Sequence, residues 1–386
     1  MKIVADENIP FAREAFRTLG DVALISGRDA TPAMLRDCDL LFCRSVTKVN
    51  RDLLEGSRVR FVATATIGFD HVDTEYLRER CIAFASAPGS NANSVGEYVV
   101  AALLVLARRG RYELEGKTLG VVGVGNVGRR VVEKAEALGL RVLQNDPPLA
   151  RQTGDPRFLP LDALFDADFL TLHVPLTAEG PDKTFHLVDD AFLARMRPTS
   201  VLLNSSRGAV VDGKALGRVL RSGRLGAAVL DVWEGEPVID LGLLDKVAIG
   251  TPHIAGYSFD GKVCATEMVY GAACQTLGVE PSWDPATVMP PPRHPRIEIA
   301  CAGRSDEAVI REAVLAVYDI EADDRDFRRI PADPAQHRPF FDKLRKLYPE
   351  RREFHNTELI LPGAGSALRG KLAGLGFRLA PPAPPC

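Results

Sequence analysis

Long apolar runs are missing from this chain. The longest, VVAALLVLA at 99–107, is about half of what a membrane span needs. The opening residues, MKIVADENIP, carry acids where a secretory signal needs an apolar stretch. No membrane partner is expected, and the implied location is cytoplasmic. Cysteine is sparse: seven scattered residues, an odd number, with no CxxC pair. Cys38 and Cys43 lack the companions of a zinc site, so no disulfide framework and no metal are expected. Excess charge is missing too. The net charge of −3 supplies no basic field for nucleic acid or an anionic membrane. Histidine is rare, with 7 in 386 residues, and a lone histidine is more often structural than catalytic.

What remains is ordinary globular material, 46% hydrophobic and 26% charged, long enough for two or three domains. The first ninety or so residues alternate short apolar strands with helical stretches. The strands are KIVAD, VALI, DLLFCR, RFVATAT and IAFASA. Such alternation predicts a parallel α/β sheet. A long helical stretch, NSVGEYVVAALLVLARR, leads into a second series: TLGVVGVG, RVLQND, DFLTLHV, SVLLNSS, GAAVLDVW and VAIGTPH. These fit a second doubly wound sheet, of the nucleotide-binding kind. Residues 260–278 read as a helix returning to the first domain. The proline-rich stretch PSWDPATVMPPPRHP then opens a small α+β segment in which no catalytic residue is apparent. The expected domains are 1–94 with 256–280, then 95–255, then 281–386.

Gly123, Gly125 and Gly128 stand in G-x-G-x-x-G spacing after a strand and at a helix start. The first permits a tight turn, the second close backbone approach to a pyrophosphate, the third helix–sheet packing. Helix amides and dipole favour the phosphates. Asp146 ends the next strand, 18 residues beyond Gly128, where a carboxylate accepts ribose hydroxyls and repels a 2′-phosphate. NAD is therefore the expected cofactor.

Ligands of doubly wound sheets lie beyond the carboxyl ends of the strands. Arg207 follows SVLLNSS, Glu236 follows GAAVLDVW, and His253 follows VAIG. An arginine forks a substrate carboxylate. A histidine takes a hydroxyl proton as hydride leaves, and a carboxylate orients and charges the imidazole. Asp231 in VLDVW faces either the cofactor or the sheet end. RSVTKVN offers Arg44, Ser45, Thr47 and Lys48, which read equally as a solvated basic loop or as a cationic pocket, and Thr66 follows the next strand.

With the glycine motif, NSSRG, DVWEGEP and TPHIAG in this order, the chain resembles the D-isomer-specific 2-hydroxyacid dehydrogenases. The resemblance implies a flavodoxin-like substrate domain, a Rossmann NAD domain and a C-terminal dimerisation domain forming a homodimer. It makes Arg207, Glu236 and His253 the catalytic residues. The implied cofactor set is Gly123, Gly125, Asn126, Val127, Gly128, Asp146, Val174, Ser205, Ser206, Asp231 and Gly256. Val174 departs from the threonine often found there, so a hydroxyl contact is lost. The segments DENIPFARE, RSVTKVN, GFDHVD, NDPP and HIAGY point to members acting on a phosphorylated 2-hydroxy acid. On that likeness Ser45, Thr66 and Tyr257 contact substrate. Two readings compete: 3-phosphoglycerate as the substrate, or a non-catalytic NAD-sensing protein like the corepressors built on this scaffold.

Overall fold

The computed structural model describes residues 1–110 and 113–381. It divides into two compact units, Met1–Asn91 with Ser258–Pro291, and Ala92–Tyr257 with the chain from Pro292 onward. Among the described residues no helix is long and apolar enough to cross a membrane.

The first unit is built on β1 (Lys2–Asp6), β2 (Asp21–Ile25), β3 (Leu40–Cys43), β4 (Phe61–Thr64) and β5 (Ala83–Ala85), in the order β2-β1-β3-β4-β5. All four pairings are parallel. Strands covered on both faces need continuous apolar runs, which explains why LLFC and FVAT are buried throughout. Alternate residues serve opposite faces. Ile3, Phe42 and Phe61 meet Val269 and Tyr270 of the helix Phe259–Leu277. Val4, Leu41 and Val62 meet Leu53 and Tyr76. Each such fully buried large side chain contributes about 1.5–3 kcal/mol. The returning helix therefore belongs to this unit by its core, and Ser258 caps its start by accepting from Gly261 N.

The second unit carries β6 (Thr118–Val122), β7 (Arg141–Asn145), β8 (Phe169–Leu172), β9 (Val201–Asn204), β10 (Ala227–Leu230) and β11 (Ile249–Gly250). Their order is β11-β10-β9-β8-β6-β7, all parallel. A parallel bridge from Gln144 to Phe158 extends the sheet beyond β7. The strand order reverses between β6 and β8, and open α/β sheets bind ligands at such a reversal.

Residues from 292 onward add a parallel three-stranded sheet, β12 (Arg296–Glu298), β13 (Glu358–Ile360) and β14 (Arg378–Leu379). Its helices Asp306–Val317 and Ser366–Leu375 share one apolar core with Ala92–Gly110 and Asn126–Ala137. The approach is close: a Cβ on Gly374 would lie 2.8 Å from that of Ala137. Two further helices, Ile320–Phe327 and His337–Lys346, lie against the other core, where Phe327 and Phe341 join Trp233 and Leu244.

Candidate active site

The glycine loop follows β6 at the reversal point. Gly123 has φ +86°, and a Cβ there would lie 2.5 Å from the His173 carbonyl oxygen at the end of β8. A Cβ on Gly128 would lie 2.0 Å from the Gly123 oxygen. The chain's own packing demands both glycines. Gly125 differs, since a Cβ there would meet nothing within 4 Å. It leaves open space in front of the helix Asn126–Ala137, whose first amides have no side-chain cap. Uncapped amides beside a bare backbone suit the pyrophosphate of a dinucleotide. Asn126 is exposed there, while Val127 turns inward to the core.

Asp146 lies at the same loop. Its Oδ2 accepts from Val124 N at 2.8 Å, and its Oδ1 caps the helix Pro147–Thr153 through Leu149 N at 3.0 Å. Each carboxylate oxygen keeps a second lone pair for a ribose hydroxyl. Val174 packs at the loop, its Cγ1 2.8 Å from where a Gly123 Cβ would stand. Ser205 Oγ is buried with no hydrogen-bond partner among the described residues, an orphan that a bound cofactor would satisfy. Ser206 is committed to its own turn, its amide and hydroxyl both donating to Asn204 Oδ1. The residues present fit the dinucleotide. His173, behind Gly123, is held neutral by burial, its pKa lowered to about 3.

Strands β9, β10 and β11 are neighbours in register, Leu203 beside Val229 and Val229 beside Ile249. Arg207, Glu236 and His253 therefore leave adjacent strand ends. His253 Nδ1 lies 2.5 Å from Glu236 Oε1, and Glu236 Oε2 accepts from Trp233 N at 3.0 Å. Burial would raise the Glu236 carboxyl, but the facing His253, its hydrogen bond and the positive Arg345 hold it below its ordinary value. With Nδ1–H donated to this carboxylate, His253 Nε2 is left as a proton acceptor. Arg207 Nη1 donates to Ser206 O at 2.9 Å. The next residue, Gly208, brings its loop against the DVWEGEP loop: a Cβ there would lie 2.1 Å from the Trp233 carbonyl.

Asp231 builds the platform under His253. Its carboxylate is buried and accepts from Thr251 Oγ1 at 2.7 Å, Ile254 N at 2.7 Å and Ala255 N at 3.0 Å. Its backbone oxygen accepts from His253 N at 2.7 Å. His253 itself has φ +58°, a left-handed conformation that costs a non-glycine residue about 1–3 kcal/mol. Four bonds to Asp231 offset that cost. Beyond them, Gly256 leads into a turn closed by Tyr257 N donating to Ile254 O at 2.8 Å.

The segment in which the sequence showed no catalytic residue reaches these loops. Asp324 Oδ1 accepts from Gly250 N at 2.7 Å, and Arg351 Nη2 donates to Ala255 O at 3.1 Å. Phe327 lies 5.6 Å from the Trp233 ring, and Tyr348 packs edge-on against Tyr257 at 5.8 Å. No local sequence signal marks these residues, because their partners lie about seventy or more positions away.

In the first unit, β3 and β4 are paired neighbours, so Arg44–Lys48 and Thr66 emerge at one end of its sheet. Arg44 Nη1 donates to Asn8 O at 3.1 Å; Ser45 and Lys48 are exposed. Thr47 faces inward, donating to Gly27 O at 3.0 Å. Thr66 Oγ1 donates to Gly68 O at 2.9 Å and lies 2.6 Å from Thr64 Oγ1, which also meets His71 Nε2 at 3.1 Å. His71 thus joins Thr64 and Thr66 at this end of the sheet. Its burial lowers its pKa and favours the neutral ring.

Residues 104–255 match the NAD binding domain of the D-isomer specific 2-hydroxyacid dehydrogenases, and residues 288–376 match a domain of unknown function. The erythronate-4-phosphate dehydrogenase of Cronobacter sakazakii is 48% identical over 98% of both chains. That of Escherichia coli is 45% identical over the same share. Among solved structures, the D-lactate dehydrogenase of Aquifex aeolicus complexed with NAD and lactic acid is 26% identical with a TM-score of 0.59. It covers 72% of this chain and 96% of its own. The NAD-dependent formate dehydrogenase of Staphylococcus aureus in complex with NAD is 25% identical with a TM-score of 0.59, over 74% and 98%. A carboxylate-paired histidine after β11, an arginine after β9 and a glycine loop open at Gly125 are the features of an NAD-dependent enzyme. With the identity spanning nearly the whole length, the chain belongs to the erythronate-4-phosphate dehydrogenases, within the D-isomer specific 2-hydroxyacid dehydrogenase family.

Proposed function

We propose that this chain oxidises 4-phospho-D-erythronate at C2 to 2-oxo-3-hydroxy-4-phosphobutanoate, within pyridoxal 5′-phosphate biosynthesis. The observation that carries the chemistry is the 2.5 Å pair of His253 and Glu236 at neighbouring strand ends. His253 Nε2 takes the C2 hydroxyl proton. Glu236 stabilises the imidazolium that results and fixes the ring's orientation. Arg207 forks the C1 carboxylate and polarises the reacting oxygen. NAD, when bound, accepts the hydride from C2. The glycine loop, Asn126, Ser205 and Asp146 hold it, and the Asp146 carboxylate disfavours a 2′-phosphate. Asp231 serves the site by clamping the His253 loop. Tyr257 contacts substrate from the same unit, while Ser45, Thr66, Arg44 and Lys48 form a polar and basic edge for the phosphorylated acid. Residues 281–386 serve a homodimer, in the cytoplasm.

A panel of phosphorylated 2-hydroxy acids with NAD, followed by NADH formation, tests this. 4-Phospho-D-erythronate should exceed 3-phosphoglycerate in kcat/KM by at least about tenfold, the scale of one well-made polar contact. Equal or better turnover of 3-phosphoglycerate overturns the substrate assignment. Tight NAD binding with no oxidation of any acid favours the sensing protein instead.

A further inference from the structure

We propose that Arg345, in the domain of unknown function, is a substrate-binding residue that receives the phosphate of the phosphorylated hydroxy acid. The proposal rests on the reading of function above and deepens it.

The position of Arg345 is built by its helix. His337–Lys346 is pinned at its start by His337, which is buried, accepts from Ile239 N at 3.3 Å and reaches Pro331 O at 3.0 Å. Phe341, one turn before Arg345, is buried and packs edge-on against Phe327 at 5.7 Å. The helix is thus fastened beside the residues that follow DVWEGEP. From it the Arg345 guanidinium lies 5.2 Å from the centre of the Tyr257 ring and 5.8 Å from that of Phe341. A guanidinium held against aromatic rings keeps its planar fork oriented and partly desolvated.

Among the described residues no acceptor takes that fork. Nε is buried without a partner, and among the described residues the guanidinium makes no hydrogen bond and no ion pair. Yet its charge is felt at Glu236, whose carboxyl it helps hold down. Glu236 is not its partner: its oxygens meet His253 Nδ1 and Trp233 N, and among the described residues no hydrogen bond or ion pair joins it to Arg345. The protein therefore holds an oriented, unpaired cation beside the catalytic pair and the tyrosine assigned to substrate. Such a group calls for an anion. With Arg207 assigned to the carboxylate, the anion left on this substrate is its phosphate, whose three oxygens match a bidentate fork.

The test uses the full-length protein and the variants Arg345→Gln and Arg345→Lys. Kinetics with 4-phospho-D-erythronate and with D-erythronate are compared, and the thermal shift caused by inorganic phosphate is measured with NAD present. For Arg345→Gln, KM for the phosphorylated acid should rise roughly 10- to 100-fold, the worth of a charge-assisted bond. The ratio of kcat/KM between the two acids should fall by the same factor, and the phosphate shift should vanish. Arg345→Lys should recover part of the ratio, since charge is kept and the fork lost. A change below about twofold overturns the proposal. So does an equal loss for both acids, which would mean that Arg345 acts on Glu236 or the carboxylate. If Arg345→Gln fails to fold, Arg345→Lys carries the test through its ratio. If the wild type oxidises neither acid, the functional reading fails separately, and the phosphate shift still decides Arg345.

Discussion

His253 shows how much of a residue's chemistry is set by its immediate bonds. Its backbone is left-handed, its amide is tied to Asp231, and its Nδ1 faces a carboxylate that is kept ionised. Only Nε2 is left to work. His173 and His71 follow strands as well, yet burial disfavours their charged forms, and among the described residues no carboxylate hydrogen-bonds to either ring. Replacing His253 with Gln keeps a side chain of similar reach and removes the proton acceptor. Turnover should fall by about 10²–10⁴-fold, with NAD affinity unchanged by fluorescence titration. Turnover within a few-fold of the wild type would remove His253 from the proton-transfer role.

At the scale of elements, catalytic geometry depends on how closely neighbouring loops approach. Gly208 is one such point, since any side chain there meets the Trp233–Glu234 backbone. Gly208→Ala should push the Arg207 loop off the DVWEGEP loop. Overpacking of this kind costs about 1–3 kcal/mol. A misplacement of about 1 Å costs on the order of 10²-fold in rate. Urea unfolding and steady-state kinetics on the same sample would check both. Wild-type stability together with wild-type rate would mean that the two loops need not touch. The strands themselves were legible in the sequence, because parallel strands buried on both faces leave continuous apolar runs. Pairings such as Gly208 against Trp233 were not, since a glycine's neighbours are decided by the register of β9 with β10.

At the scale of the whole molecule, the described C-terminal residues and the NAD-binding sheet form one folding unit that buries ionisable groups together. Asp323 accepts from Tyr318 OH at 3.0 Å and Tyr348 OH at 2.9 Å. Burial lifts its pKa from 3.8 to about 6. The folded state thus binds this proton more tightly than the unfolded chain. The resulting stability is fully present below about pH 4 and is lost as pH rises through about 6. Asp323→Asn keeps the acceptor oxygen and cannot ionise. Its melting temperature relative to the wild type should rise between pH 4 and pH 7, by an amount worth on the order of 2 kcal/mol. A difference that stays flat across that range would show that Asp323 ionises as easily in the folded chain as in the unfolded one.

The sequence by itself determined the strand series, the glycine loop with its acid, and the strand ends where an arginine, a glutamate and a histidine belong. Those are local properties: periodicity, turn-forming glycines, and position after an apolar run. Only the tertiary structure decided that His253 and Glu236 bond directly and that Asp231 braces the loop. It also decided that Gly125 stays open where Gly123 and Gly128 are filled. The largest difference lies in the C-terminal segment, in which the sequence shows no catalytic residue, yet its Asp324 and Arg351 bond to Gly250 and Ala255 and its Arg345 lies over Tyr257. Contacts across seventy or more residues leave no periodic trace in a chain. They arise when two surfaces bury one core, and no spacing along the sequence records which side chains then meet.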